Sequence, residues 1–333
     1  MRMRIRAGAA AAGMQPGQPG RWLTRGRARR AATSLAVVLT LLLATAAACS
    51  EQQPDARPSV QQKLEESSIW GQPLLRIGVA ANEPLMGETK NGLHSGFDIE
   101  IARYLARSLG YASDKDIRFV EVRTDDRLEF LIGGKVDLVV ASLSETEERA
   151  ELVGFAGPYL VTRQAFMVPV ALEGKLRTLE DFQTSKAPVC SSGSSTTEQE
   201  LARRGFAVKI VNDLQECVDG MLAGRYEAMS SDKTILAGFR SRNPRKFVMV
   251  DLPLGAIERI CVGVPIGDTA LRDLVSYFLK KSYLAGRRDG TSPWLTAYNK
   301  TLGPWYEEDV EVTQPEPQNV PDLVDFDDKA SPK

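Results

Sequence analysis

The chain has 333 residues, of which 43% are hydrophobic, and 42 Lys and Arg stand against 43 Asp and Glu for a net charge of −1. That is enough apolar material for a sizeable core and enough length for two domains. A single histidine, His94 in a Gly- and Asn-rich loop, lacks companion metal ligands and cannot supply a Ser-His-Asp triad, and no Lys-bearing phosphate loop occurs. No metal, no cofactor and no catalytic residue are expected.

Residues 1–30 carry eight Arg and no acid, and Ala31 to Ala48 is an uninterrupted run of apolar and small residues ending at Cys49. A basic flank, an apolar region and small residues before a cut describe an export signal over 1–48. Arg29-Arg30 is a faint twin-arginine pattern, and an uncleaved membrane anchor stays open, since the run is near the lower length limit for a span. Either way the body lies outside the cell. Without residues 1–48 the chain has 34 basic and 43 acidic residues, a charge of −9 that excludes nucleic acid as partner.

Residues 49–70 are rich in Gln, Glu and Pro and read as a flexible tether. Leu74 to Ala80 reads as an apolar strand, Phe97 to Leu109 as a helix with Ile99, Ile101, Ala102, Leu105 and Leu109 on one side, and Ile117 to Val122 as a strand. Leu128 to Ile132 closes a short helix. A strand from Val136 to Val140 then empties into Ser142, Ser144 and Thr146, followed by Arg149. Small donors and free N–H groups at a helix start, beside a planar guanidinium, suit a small carboxylate. Ser144 as a plain N-cap and Arg149 paired with Glu145 along a helix is the alternative.

The rhythm restarts with a strand at Ala187 to Cys190 that opens into Ser191-Ser192-Gly193-Ser194-Ser195-Thr196 and a helix from Glu198 to Arg204. Strands at Val208 to Val211 and Tyr226 to Met229 alternate with helices at Leu214 to Ala223 and Lys233 to Phe239, and Asp268 to Lys281 is a final long helix. Two wound α/β units, each with a ligand-sized turn, predict two lobes facing a cleft. The boundaries are 71–162 with 261–305 for lobe 1 and 163–260 for lobe 2. Residues 306–333, with nine acids from Glu307 onward and Pro315, Pro317, Pro321 and Pro332, read as a disordered acidic tail. Cys190 and Cys217 fall in one lobe and are candidates for a disulfide contributing roughly 3–4 kcal/mol in the chain-entropy model, two buried thiols being the alternative, and Cys261 is left odd.

Arg76-Ile77-Gly78-Val79, Gly96-Phe97-Asp98-Ile99-Glu100-Ile101-Ala102, Gly134-Lys135-Val136-Asp137, Ser142-Leu143-Ser144 with Thr146 and Arg149, Phe155 to Thr162, Cys190 with Gly193-Ser194-Ser195, Cys217, and Asp232 before Ile235 to Phe239 stand in an order that resembles a known family. It is that of the extracellular solute-binding proteins of polar amino acid ABC importers, family 3 type, and especially the glutamate-binding lipoproteins of high-GC Gram-positive bacteria. The likeness runs from about Leu74 to Gly303. Ala46-Ala47-Ala48-Cys49 is similar to a lipobox, with Ala46 where Leu is usual, so Cys49 would carry lipid.

The resemblance implies a two-lobed, type II periplasmic-binding-protein-like α/β fold with a hinge, a monomer held by lipid on the outer face of the cytoplasmic membrane and working with an ABC permease. It gives Arg149 the ligand α-carboxylate, Ser142 and Ser144 the donors beside it, Gly193, Ser195 and Thr196 the donors that close from lobe 2, and Asp232 the ligand ammonium. For Asp232, an N-cap for the helix at Lys233 is the alternative. The loop Ala80 to Gly87 lacks the Asp and aromatic of many relatives, Arg163 replaces a usual Gly, and Cys261 replaces a small or apolar residue. Arg163 near the lobe crossover is a candidate for a ligand side-chain carboxylate or else a solvated hinge residue. Glu83 is a candidate for a cationic or amide side chain or else an exposed loop acid. A sensory lipoprotein handing its signal to a membrane receptor or kinase, and a cyclohexadienyl dehydratase-like enzyme with Glu83 moving a proton, are the rival functions.

Overall fold

The computed structural model describes residues 57–185, 188–306 and 313–326. The export signal, Cys49 and the first part of the tether lie outside the described residues. In chain order the elements are α1 (Val60–Glu66), β1 (Leu75–Val79), β2 (Asn82–Glu83), β3 (Gly87–Lys90), β4 (Leu93–Ser95), α2 (Phe97–Ser108), β5 (Ile117–Glu121), α3 (Arg127–Ile132), β6 (Leu138–Val139), α4 (Glu147–Ala150), β7 (Val153–Thr162) and β8 (Gln164–Pro169). There follow α5 (Leu179–Thr184), β9 (Val189–Ser192), α6 (Thr196–Arg203), β10 (Val208–Val211), α7 (Gln215–Leu222), β11 (Ala228–Asp232), α8 (Lys233–Arg242), β12 (Phe247–Val250), β13 (Glu258–Pro265), α9 (Thr269–Asp289) and α10 (Pro293–Lys300).

Two five-stranded sheets result, ordered β5-β1-β6-β13-β7 and β10-β9-β11-β8-β12, with a small antiparallel sheet β2-β3-β4 beside them. In each large sheet four strands run one way and one, β13 or β8, runs against them. The central strands β1, β6 and β9 are short runs buried on both faces, while the edge strands β5 and β10 are partly exposed. Arg163 alone separates β7 of the first sheet from β8 of the second, and the chain returns between β12 and β13. β13 enters the first sheet at Glu258, ahead of the boundary expected at residue 261.

Packing follows from the same patterns. α2 buries Phe97, Ile99, Ile101, Ala102 and Leu105, a helical stripe. Phe97 meets Trp294 edge-on at 5.6 Å, and Trp294 stacks on Tyr298 at 5.3 Å. A fully buried side chain such as Phe97 contributes about 1.5–3 kcal/mol, and each aromatic pair adds about 0.5–1.5 kcal/mol. Gly96, at φ +122°, starts α2 against the β2–β3 turn, where a Cβ would lie 2.3 Å from the Met86 carbonyl oxygen. The second sheet has its own apolar cluster, with Phe166 stacked on Phe182 at 4.2 Å and near Phe206 at 6.0 Å.

Two expectations need correction. Within the segment read as a flexible tether, Val60–Glu66 forms a helix capped by Ser59, with Val60 fully buried and Lys63 paired with Asp273 at 3.1 Å. Within the segment read as a disordered tail, residues 313–326 run along the first lobe. Gln314 accepts from Ser282 and donates to the Leu279 carbonyl, both at 2.9 Å, Leu323 is buried, and Val324 exchanges backbone bonds with Pro58 and Val60. Average composition points to disorder, but Gln314, Leu323 and the pairs Lys280–Glu316 and Lys281–Asp325 are specific anchors on α9 that composition does not show.

Candidate ligand-binding site

The site grows from the ends of β1, β6, β9 and β11, where open α/β sheets hold ligands. After β6 the chain turns at Ser142, whose φ of +46° is rare for a residue with a Cβ. Asp98, fully buried in the first turn of α2, holds that turn by accepting the Ser142 N–H at 2.8 Å and hydroxyl at 3.0 Å, and it also accepts the Tyr159 hydroxyl at 2.8 Å. From α3 the buried Arg127 donates through Nε to the Thr124 carbonyl at 3.0 Å and through Nη1 to the Ala141 and Ser142 carbonyls at 2.9 Å. Its Nη2 takes no hydrogen-bond partner among the described residues.

Arg149 leaves α4 and reaches the cleft. Its Nη1 donates to the Ser144 carbonyl at 2.9 Å and its Nη2 to the Ser194 carbonyl at 3.0 Å, one on each lobe. Opposite, Ser195 caps α6 by accepting the Glu198 N–H at 3.0 Å while donating to the Ser192 carbonyl at 2.7 Å, which leaves Thr196 at the helix start. Asp232 ends β11. It is 5% exposed, its side chain makes no cap bond to α8, and no other group among the described residues hydrogen-bonds it. Asp232 thus occupies the N-cap position of α8 without a side-chain cap bond, which leaves its carboxylate to the cavity.

Glu83, Ser142, Ser144, Arg149, Ser195, Thr196 and Asp232 line a single cavity of about 20 Å³, together with Arg127, Thr124, Ser192, Thr197 and Leu214. It continues through Glu83, Thr124, Ser192 and Leu214 into a cavity of about 230 Å³. The lobes are closed over it by the Thr124–Ser192 hydroxyl contact at 3.0 Å, by Asn82 on Asp213 at 2.9 Å and by the Arg242–Glu88 ion pair. Gly193 belongs to the adjoining turn, where its N–H donates to the Val211 carbonyl, and is not on the cavity wall. Arg163 is exposed at the crossover, with its carbonyl taking the Lys233 N–H, and does not line the cavity. Its place as a side-chain ligand is thereby corrected, and Arg127 is the cation that the sequence reading missed. Arg127 stands beside Asp125 and Asp126 in the sequence, and the signal that could have found it is the packed face of Leu128 and Leu131 on the same helix.

The enclosure sets the electrostatics. Burial pushes the Glu83 carboxyl up to about 7, helped by Asp98, and pushes Asp98 to about 6 against its three donors. Burial, then Glu258 and Glu83, raises Asp232 well above the carboxylate range. Burial and the neighbouring Arg127 lower Arg149 to about 10, and burial lowers Arg127. Charges so held call for a ligand that brings opposite charges with it.

Cys190 and Cys217 form a disulfide with a Cα separation of 5.5 Å, tying β9 to α7 just before the Ser191–Thr196 turn. Cys261 is a buried free thiol, pushed up by burial and Glu145. His94 shares a hydrogen with Thr89 at 2.9 Å, and no group of three or more metal-ligating side chains occurs among the described residues. No helix among them is long and apolar enough to cross a membrane.

Residues 75–292 match the bacterial extracellular solute-binding proteins, family 3. The chain is 27% identical over 266 residues to the glutamate-binding protein GluB of Corynebacterium efficiens, covering 77% of this chain and 86% of the relative. It is 26% identical to the ABC transporter glutamine-binding protein GlnH of Bacillus subtilis, covering 77% and 93%. Among solved structures, the solute receptor for L-cysteine of Neisseria gonorrhoeae superimposes with a TM-score of 0.64 at 28% identity, covering 76% of this chain and 97% of the receptor. These relatives are named as binding proteins rather than enzymes, and the chain belongs to the bacterial extracellular solute-binding proteins, family 3.

Proposed function

We propose that the chain is the substrate-binding component of an ABC importer, lipid-anchored through Cys49 on the outer face of the cytoplasmic membrane, and that it grips a free polar amino acid between its lobes. The observation that carries this reading is Asp232, a buried carboxylate without a hydrogen-bond partner among the described residues, lining the same cavity as the Arg149 guanidinium. An unpaired buried charge is costly, and a ligand ammonium on Asp232 with its carboxylate on Arg149 relieves both ends at once. Arg149 already spans the lobes, so a ligand held there favours the closed state over an open one.

For the side chain, Arg127 supports an acidic, glutamate-like ligand, because its unused Nη2 faces the smaller cavity, where it and Arg149 are the guanidinium groups among the described lining residues. The names of the GluB and GlnH relatives point to glutamate and glutamine. The contacts that close the lobes over the cavity mean that entry requires the lobes to part and Arg149 to exchange a carbonyl partner for the ligand. The lipid anchor rests on Ala46-Ala47-Ala48-Cys49 alone.

Thermal shift against the twenty amino acids tests the binding. A ligand at a hundredfold excess over its dissociation constant adds about 2.7 kcal/mol to stability. Glutamate and aspartate are expected to raise Tm most, and a Tm unmoved by any amino acid defeats the reading.

A further inference from the structure

The Ser142 hydroxyl lies between two carboxyls, 3.0 Å from Asp98 Oδ2 and 3.1 Å from Glu83 Oε2. A hydroxyl has one hydrogen to give. Asp98 Oδ2 also accepts the Ser142 N–H and Asp98 Oδ1 accepts Tyr159, so Asp98 is built as the ionised acceptor and takes the hydroxyl hydrogen. The remaining contact, Glu83 to Ser142 Oγ, is a hydrogen bond only if Glu83 supplies the hydrogen. An ionised Glu83 there would place two oxygen acceptors against each other.

We propose that Glu83 enters the closed, ligand-gripping state as a neutral carboxylic acid, so that an amino acid with an acidic side chain binds together with a proton taken from solvent. The proposal rests on the binding reading above and adds to it how an acid-lined cavity accepts an acidic ligand. The charged groups facing Glu83 are Asp98 from α2, Arg127 from α3, Asp213 ahead of α7 and Asp232 at the end of β11. Three of the four are acids. With the ligand ammonium on Asp232 and its α-carboxylate on Arg149, an ionised Glu83 would repel a second carboxylate beside Arg127. A proton on Glu83 removes that charge and keeps the bond to Ser142. The carboxyl's rise from an ordinary 4.5 to about 7 in the closed cleft is in keeping with this.

The sign follows from linkage. Asp213 and Asp232 approach Glu83 from the second lobe, so opening the cleft carries both acids away and lets solvent reach it; closure then takes up a proton within the window from about pH 4.5 to 7, and affinity falls as pH rises through it. Calorimetric titration of the full chain with L-glutamate, in buffers of different ionisation enthalpy, reads the uptake directly. Uptake close to one proton is expected near pH 6, with almost none above pH 8, and affinity falling about tenfold in total between them, most steeply toward pH 6, where the slope nears the tenfold-per-unit limit for one linked proton. Glu83→Gln loses the uptake. As a readout free of any variant, protein carrying ¹³C-labelled glutamate residues gains an isotope-shifted protonated-carboxyl infrared band when unlabelled L-glutamate is added at pH 6. Binding without proton exchange overturns the proposal alone, as does uptake that survives in Glu83→Gln or a band without the isotope shift. Failure of every amino acid to bind overturns the binding reading and the proposal with it.

Discussion

Arg149 Nη2 donates to the Ser194 carbonyl oxygen at 3.0 Å, a bond made from the first lobe to the second. The same guanidinium holds Ser144 on its own lobe, so both arms of its planar fork are in use at closure. Lysine keeps the charge but offers a point donor that cannot serve both directions. Arg149→Lys is expected to weaken amino acid binding by about 1.5–3 kcal/mol, the range for a hydrogen bond to a charged group. Calorimetry checks it, and an unchanged Kd removes Arg149 from the site.

Asp232 separates binding from stability. Its carboxylate is buried without a hydrogen bond among the described residues and next to Glu83 and Glu258, so asparagine removes a desolvation cost in the ligand-free protein. It also removes the partner of the ligand ammonium. Asp232→Asn is expected to raise the ligand-free Tm while costing about 3–5 kcal/mol of binding. A fall in Tm with retained affinity would assign Asp232 to the fold.

Stability of the closed, ligand-bound protein should decrease with rising pH near neutrality. Glu83 and Asp98 have closed-state values raised to about 7 and about 6, so the native protein binds more protons than the unfolded chain, and their contribution, full below the ordinary carboxylate range, is lost as pH rises through those values. Glu200, held down to about 2 by Arg203 and Arg204, loses its contribution only as pH falls below the ordinary range, outside this window. With saturating L-glutamate, Tm measured from pH 5.5 to 7.5 is expected to decline, more steeply in wild type than in Glu83→Gln.

Lobe closure also depends on a glycine. α8 packs on β2 so closely that a Cβ at Gly238 would stand 1.8 Å from the Pro84 carbonyl oxygen. Backbone on both sides leaves no flexible side chain to move aside. Gly238→Ala is expected to hold the lobes apart, seen as a larger radius of gyration in solution scattering with ligand present and at least a tenfold loss of affinity. Closure as in wild type would show that α8 can shift without cost.

The terminal segments act on stability and not on binding. Leu323 is 4% exposed in the strap on the first lobe, away from the cavity residues. Leu323→Ala is expected to cost about 2 kcal/mol or more in denaturant unfolding, with glutamate affinity unchanged. A loss of affinity instead would link the strap to the cleft.

The parallel strands and their helices were legible because each is a short apolar run followed by a period of 3.6, as in Leu75–Val79 and then Phe97–Ser108. Ser142 stood out in the turn after a strand and Arg149 just beyond it, whereas the roles of Ser195 and Asp232 came only with the family resemblance. Arg127 was not, since whether a charged residue on a short helix faces water or a cavity depends on the tertiary packing of Leu131 and Val139. Arg163 was misplaced because proximity in sequence to the crossover says nothing of which side its side chain takes. The three-stranded β2-β3-β4 sheet was invisible, its strands being two to four residues long and half polar. The ordered strap was hidden by an acidic, proline-rich average.

A crystal structure of the full chain with L-glutamate tests the central claim most directly. The account predicts the ligand α-carboxylate within hydrogen-bond distance of Arg149 and its ammonium on Asp232, inside the cavity that these two residues share. A ligand bound elsewhere, or bound there with Asp232 and Arg149 both turned away from it, would contradict the account.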